Sequence, residues 1–302
     1  MKRGIHRFFD FERSDAKLAA VLIAPTFLLV LGVVAYPLVY SFVMSFGDVE
    51  FANIKDYDFV GVSQYVKTFT DPEFINSIQV SAKFVFSTVF IKLVLGTLIA
   101  VMLKEKFVGR SLARALIIIP WATPFVVVGL MWKWMLHSKV GVINFLLERL
   151  GIIQDYIPFL SSRTFAMPFV VVADVWQGTP FFVIIILAGL QTIPDDLYEA
   201  AQMDGAGGIK AFFSITLPLI RFPLFISTIL GTIFAINSFD LFFVLTKGGP
   251  GNITTNATLF GWNNAFKFYH LSYASAISYV ILMFSMLVTI GYVFIMRKIQ
   301  VE

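Results

Sequence analysis

Asp174 and Asp240 each interrupt a long apolar run, the first beside Trp176, Gln177 and Thr179, the second beside Asn237 and Ser238. Carboxylates and amides supply hydrogen-bond partners, and indole or phenyl rings supply flat apolar faces. That mixture suits a polyhydroxylated ring, which offers one apolar face and a rim of hydroxyls. The same groups would serve as interhelical hydrogen-bonding residues or as contacts to a second subunit. Other chemistries lack their residues. His6, His137 and His270 are scattered without ligand spacing, and the chain has no cysteine, so thiolate metal sites, disulfides and cysteine nucleophiles are excluded. No G-x-x-x-x-G-K-[ST] phosphate loop occurs, and Gly248-Gly249-Pro250-Gly251 follows no strand, so it reads as a turn. The sequons at Asn252 and Asn256 are weak patterns. No catalytic site, metal site or cofactor site is expected in this chain, and nothing points to nucleic acid.

A second constellation lies between two apolar runs: Glu199-Ala200-Ala201-Gln202-Met203-Asp204-Gly205-Ala206-Gly207-Gly208, leading to Leu217-Pro218 and Pro223. Thr192 with Asp195 three residues on fits a capping box, and Pro194 suits a first helical turn. Asp195, Asp196 and Glu199 put negative charge where a helix dipole favours it. The spacing predicts a helix of roughly ten residues ending at Gly205 as a left-handed cap. A second helix is expected after Gly207-Gly208, running through Phe212, Phe213 and Ile215 to a break at Pro218. Leu197, Tyr198 and Met203 would give the first helix an apolar face, and Ala200 and Ala201 would let another backbone approach closely. The loop is therefore either a docking surface for a partner outside the bilayer or an interfacial segment packed on its own bundle.

The elements that position these residues follow from composition. Of 302 residues, 58% are hydrophobic and 14% charged, against about 25% charged in a typical soluble domain. The apolar residues form continuous blocks of the length needed to cross a hydrocarbon core of about 30 Å. A transmembrane barrel would show short alternating segments instead. Six spans are expected: Leu18 to Phe46 with Pro25 and Pro37 inside it, Phe74–Leu103, Ala115–Leu136 interrupted by Pro120 and Pro124, Phe165–Leu190, Leu219–Leu245, and Leu271–Met296. A short amphipathic helix is expected at Val142–Leu150. Residues 1–17 form a basic segment with Lys2, Arg3, Arg7, Arg13 and Lys17, and 18–302 form one membrane domain. The side of the termini carries thirteen Lys and Arg against seven on the other side. The excess predicts both termini, and the 191–218 loop with them, in the cytoplasm.

The run from Glu199 to Ala206, with Phe212, Ile215, Leu217-Pro218 and Pro223, resembles the signature loop of permease subunits of binding-protein-dependent ABC importers. Ile193-Pro194-Asp195-Asp196-Leu197-Tyr198 and Leu245-Thr246-Lys247-Gly248-Gly249-Pro250 resemble the maltose and oligosaccharide branch. The likeness covers essentially the whole chain. Extra N-terminal spans and a large periplasmic insertion of the larger maltose-type subunit are missing, which is closer to minimal six-span members.

This resemblance implies an all-α, type I ABC importer permease fold with a cytoplasmic coupling helix, in the cell inner membrane. It implies that Glu199, Ala200, Ala201, Asp204, Gly205 and Ala206 couple to an ATPase, and that Asp174, Trp176, Gln177, Asn237 and Asp240 line the substrate route. Its partners would be a second permease, two copies of an ATPase subunit that bind ATP and Mg, and an extracytoplasmic sugar-binding protein. Rival readings are a polyol or glycerol-phosphate permease and an ion-coupled secondary transporter using Asp174 and Asp240; a membrane-embedded enzyme lacks a catalytic cluster.

Overall fold

The computed structural model describes residues 15–49 and 57–301, with side chains placed for 18–49 and 57–296. Nearly all of the basic N-terminal segment therefore lies outside the described residues.

Helices α1 (Asp15–Val30) and α2 (Tyr36–Met44) form one continuous rod through a π-helical turn at Leu31–Ala35. The Tyr36 N–H donates to the Leu31 carbonyl, five residues back, just ahead of Pro37. A proline supplies no N–H and its ring collides with the carbonyl four residues earlier. Widening the preceding turn accommodates both effects without ending the helix. A two-stranded hairpin follows, β1 (Gly47–Asp48) antiparallel to β2 (Asp58–Phe59), then α3 (Ser63–Thr70).

The long helix α4 (Pro72–Lys104) starts at Asp71, whose side chain accepts from the Glu73 N–H at 2.8 Å, with Pro72 in the first turn. Next come α5 (Arg110–Ala122), α6 (Phe125–Met135), α7 (Val142–Arg149) and α8 (Ala166–Leu190). Beyond α8 lie α9 (Asp196–Met203) and α10 (Gly208–Ala211). The latter continues through a second π turn, Phe212–Thr216, into α11 (Leu217–Leu219). Here too the widened turn precedes a proline: the Leu217 N–H donates to Phe212, and Pro218 follows. The chain ends with α12 (Arg221–Ile236), α13 (Asp240–Leu245), α14 (Ala257–Trp262) and α15 (Leu271–Val301).

Among the described residues, four helical stretches are long and apolar enough to cross a membrane unbroken: Leu18–Met44, Pro72–Lys104, Ala166–Leu190 and Leu271–Met296. Two bent pairs raise the number to as many as six. One is the expected third span, interrupted at Pro124 as its prolines indicate; the other bends just past the break expected at Pro218, so the fifth span starts at Arg221 rather than Leu219. Between α5 and α6 the axis turns by 95° at Thr123-Pro124. Gly208–Leu219 meets α12 at 67°. The expected run Leu219–Leu245 is corrected further at its other end: helix stops at Ile236, Asn237–Phe239 is irregular, and Asp240 opens α13. Side chains hold this break. The Asn237 amide bonds back to the Ile233 carbonyl at 2.9 Å, while the Ser238 carbonyl accepts from Asn256 and, at 2.7 Å, from the Thr258 hydroxyl. With its carbonyl satisfied from α14, the interruption can persist in a water-poor interior.

The core gathers where α4, α8 and α12 cross. Phe182 is 1% exposed and fills the crossing. A Cβ at Gly96 would lie 2.6 Å from the Phe182 Cβ, and one at Gly231 would lie 2.3 Å from its ring. Small residues on two helices thus let the ring sit between them, as helix packing in lipid favours. Phe84 meets Phe242 edge-on at 4.7 Å, which ties α13 into the same core. At the end opposite the 191–218 loop, the buried Asn144 of α7 exchanges two hydrogen bonds with Ile157, both at 3.0 Å, closing the 137–163 loop.

Candidate functional site

The loop after α8 forms the expected helix, but not with the expected cap. Thr192 donates its hydroxyl to the Gly189 carbonyl at 2.8 Å, and Asp195 makes no side-chain cap. The capping box is absent because Thr192 still belongs to the frayed end of α8. The other end is as the sequence indicates. Gly205 has φ +72, Ala206 donates to the Ala201 carbonyl at 2.8 Å and Gly205 to Gln202 at 3.0 Å. These paired bonds are a Schellman motif, which satisfies carbonyls that the helix end would leave free. Gly207 then caps α10.

Side chains fix α9 to the ends of two spans. The Tyr198 hydroxyl is 2.9 Å from the Thr216 hydroxyl, on the π turn leading to α12. Lys104, the last residue of α4, places its ammonium 4.0 Å from the centre of the Tyr198 ring and 3.9 Å from the Asp195 carboxylate. Arg114 and Arg110 cap that end of α4, donating to the Leu103 and Lys104 carbonyls at 2.8 and 3.2 Å. Basic side chains there also suit the negative end of the helix dipole. Glu199 and Ala206 line a cleft of about 610 Å³ between α4 and the loop. Away from the body, α9 and α10 expose Ala200, Asp204, Met203 and Ile209, the last two at 88% and 80%. Ala201 is half-buried. The loop thus presents an apolar edge beside small residues on a short capped helix.

A cavity of about 300 Å³ opens between the two bent elements and α8. Asp174, Gln177, Asn237 and Asp240 all line it, so four of the five route residues expected from sequence share one space. The fifth does not. Trp176 lines a separate apolar groove of about 510 Å³, edge-on to Trp132 at 6.2 Å. One helical position separates Trp176 from Gln177, and a step of about 100° turns it to another face of α8. The aromatic wall is supplied instead by Trp121, Phe125, Phe181 and Phe234. Trp121 stands at the proline-bent end of α5, where its place beside Asp174 is invisible to local sequence.

Lys92, on α4, is the cation in this wall. Its ammonium lies 2.5 Å from Asp174, with both side chains about 5% exposed. Gly178 makes the room, since a Cβ there would lie 2.8 Å from the Lys92 nitrogen. A buried carboxylate is strongly unfavourable alone and tolerable as half of an ion pair. Asp240, half-buried at the start of α13, has no cationic partner among the described residues.

These features, a capped polar helix tied to the ends of membrane spans and a cavity at their breaks, agree with what the comparisons return. The profile of the family described as "binding-protein-dependent transport system inner membrane component" matches residues 92–301. The chain belongs to this family. It is therefore a multi-pass membrane permease component, as the Glu199–Ala206 signature indicated. A permease protein of the trehalose/maltose transport system of Thermococcus litoralis is 39% identical over 258 residues, covering 85% of each chain. The sulfoquinovosyl glycerol transport system permease protein of Agrobacterium fabrum is 35% identical, covering 95% of this chain and 92% of the other. In structure, the permease fold is shared with a chain of a bacterial ABC transporter for alginate import, with a TM-score of 0.81 at 20% identity over 97% of this chain and 99% of that one.

Proposed function

We propose that this permease is one of two membrane subunits of an ATP-driven importer that carries a neutral sugar or small oligosaccharide. The observation that carries the substrate class is the cavity itself. Amide and carboxylate groups of Gln177, Asn237 and Asp240 face it together with Trp121, Phe125 and Phe181. Rings stack on the apolar face of a pyranose, and the polar groups take its hydroxyls. The names of the trehalose/maltose and sulfoquinovosyl glycerol relatives support a carbohydrate ligand. A phosphate-bearing solute is disfavoured, because Lys92 is neutralised by Asp174 and Asp240 adds an uncompensated negative charge.

The chain itself does no chemistry in this reading. ATP and Mg bind to two partner ATPase subunits, and α9 with Glu199, Ala200, Ala201, Asp204, Gly205 and Ala206 seats in a groove of one of them. When the ATPase dimer closes, force on α9 passes through Tyr198–Thr216 to α12 and through Lys104 to α4. Those helices carry the cavity walls, so the cavity turns from one side of the membrane to the other. An extracytoplasmic binding protein delivers the substrate. Residues 18–302 act as one membrane domain, with both termini and the 191–218 loop in the cytoplasm. The Lys92–Asp174 pair also argues against ion coupling at Asp174, since its carboxylate already has a partner.

Co-expression with the adjacent transporter genes, affinity capture of this chain and a sugar-stimulated ATPase assay test the reading. The expected result is a co-purifying ATPase whose turnover rises with loaded binding protein. A chain that purifies without any ATPase, or drives uptake on a proton or sodium gradient after ATP is depleted, would overturn it.

A further inference from the structure

Helix α3 has an unusual distribution of residues. The side it turns to the protein is polar: Gln64 and Thr68 are buried, and Gln64 donates to the Gly47 carbonyl at 3.2 Å. Its outward surface falls into two stripes. At about 100° per residue, Val62, at its N-cap, Val66 and Phe69 fall within about 60° of one another. They are 61%, 58% and 62% exposed, and Phe59 of the neighbouring hairpin is 73% exposed. Ser63, Lys67 and Thr70 occupy the adjacent arc, and all are exposed. Helix α3 is thus divided into a protein face, an apolar stripe and a polar stripe. A helix in water would not keep the middle one.

Its location names the occupant. Asp71-Pro72 joins α3 directly to the start of the span α4, at the end opposite the coupling loop. Tyr65, next to the apolar stripe, hydrogen-bonds Ser45 at 2.7 Å and packs on Phe46 at the end of the first span. Lys67, on the polar stripe, lies 4.4 Å over the ring of Tyr273, in the first turn of α15. The Tyr273 hydroxyl closes the group on Asp71 at 2.6 Å. Helix α3 is therefore anchored to the ends of three spans, with its apolar stripe left exposed beside them.

We propose that α3 is an in-plane interfacial helix whose Phe59–Val62–Val66–Phe69 surface is seated among the lipids of the leaflet opposite the coupling loop. Apolar faces of such helices sink about 5–10 Å into the boundary of headgroups and acyl chains. Tyr65, beside the stripe, is of the type that forms the aromatic belt at the membrane–water boundary. Held this way, α3 sets the height of α4 and α15 against the bilayer while the opposite end is driven by its partner.

The absence of cysteine makes the test direct. V66C, F69C and S63C are each labelled with a nitroxide in the transporter purified with its accompanying subunits and placed in phospholipid nanodiscs. The unsubstituted complex supplies the background from partner cysteines. Accessibility to oxygen, which concentrates in lipid, is compared with accessibility to a water-soluble nickel chelate. The expected result is an oxygen-to-nickel ratio several-fold higher at positions 66 and 69 than at 63. Equal, nickel-dominated values at all three would place α3 in water. Low accessibility to both reagents at 66 and 69 would mean that another protein chain covers the stripe. Either result overturns the proposal. All three side chains are exposed, so the labels displace no core packing.

Discussion

At the scale of single residues, Gly205 and the Lys92–Asp174 pair make opposite demands. Gly205 has open space around it, so a side chain meets no neighbour, yet its φ of +72 favours glycine. Gly205→Asp is expected to strain the cap by about 1 kcal/mol and leave the fold intact. It also puts a carboxylate on the surface proposed to enter the ATPase. Normal membrane insertion with most uptake lost, measured with ATPase turnover on one preparation, is the expected outcome; full stimulated turnover and uptake would remove the docking role. Lys92 is a different case. Lys92→Met leaves Asp174 buried without its partner, a loss of about 3–5 kcal/mol in stability. Lys92→Met with Asp174→Leu removes both charges and should recover most of it. Thermal unfolding of the three proteins in one detergent checks the order: native and double variant close together, single variant well below.

At the scale of elements, packing is tightest at the crossing of α4, α8 and α12. Gly231→Ala places a methyl 2.3 Å from the tip of the Phe182 ring, so the ring must shift to admit it, while Gly96 packs against the Phe182 Cβ at the base of the same side chain. Overpacking of this kind costs about 1–3 kcal/mol. Phe182→Leu in the same chain should relieve part of it, so the double variant is expected to melt above Gly231→Ala alone. If the two changes simply add, the crossing is looser than its geometry indicates. Breaks and widened turns in the helices have local causes as well. Two of the π turns run up to a proline, and the Asn237–Phe239 break is held by side chains from α14. Bending here is built in by named groups rather than by general softness.

At the scale of the whole molecule, the two ends of α4 have separate tasks. Its C-terminal end meets Tyr198 of the 191–218 loop, and its N-terminal end meets α3 and Tyr273. Sidedness can be read with one cysteine. Met203 is 88% exposed in the chain alone, so in vesicles from cells that make this chain without its ATPase subunits, Met203→Cys should react with a membrane-impermeant maleimide when the vesicles are inside-out and stay unlabelled when they are right-side-out. The reverse pattern would turn the topology over and place the proposed ATPase surface outside the cell.

Several levels of this organisation are legible in the residues alone. Apolar block length gives spans, because crossing a bilayer requires a minimum helical rise. Glycine at 205 gives the end of α9, because few other residues accept its backbone. The signature from Glu199 to Ala206 gives the family that the comparison over residues 92–301 bears out. Local pattern fails where partners are distant in the chain. Thr192 and Asp195 have the spacing of a capping box, but the end of α8 claims Thr192. Trp176 sits beside Gln177 yet faces another groove, while Trp121 reaches the cavity from more than fifty positions away. Lys92 finds Asp174 only through the glycine notch at 178 on the neighbouring helix. Sequence by itself determined which segments enter the membrane and where one helix must end, since both depend on neighbouring residues. Tertiary structure alone decided which polar groups share a cavity, which charges are paired and what holds the Asn237–Phe239 break, since each depends on the face a helix turns to its neighbours.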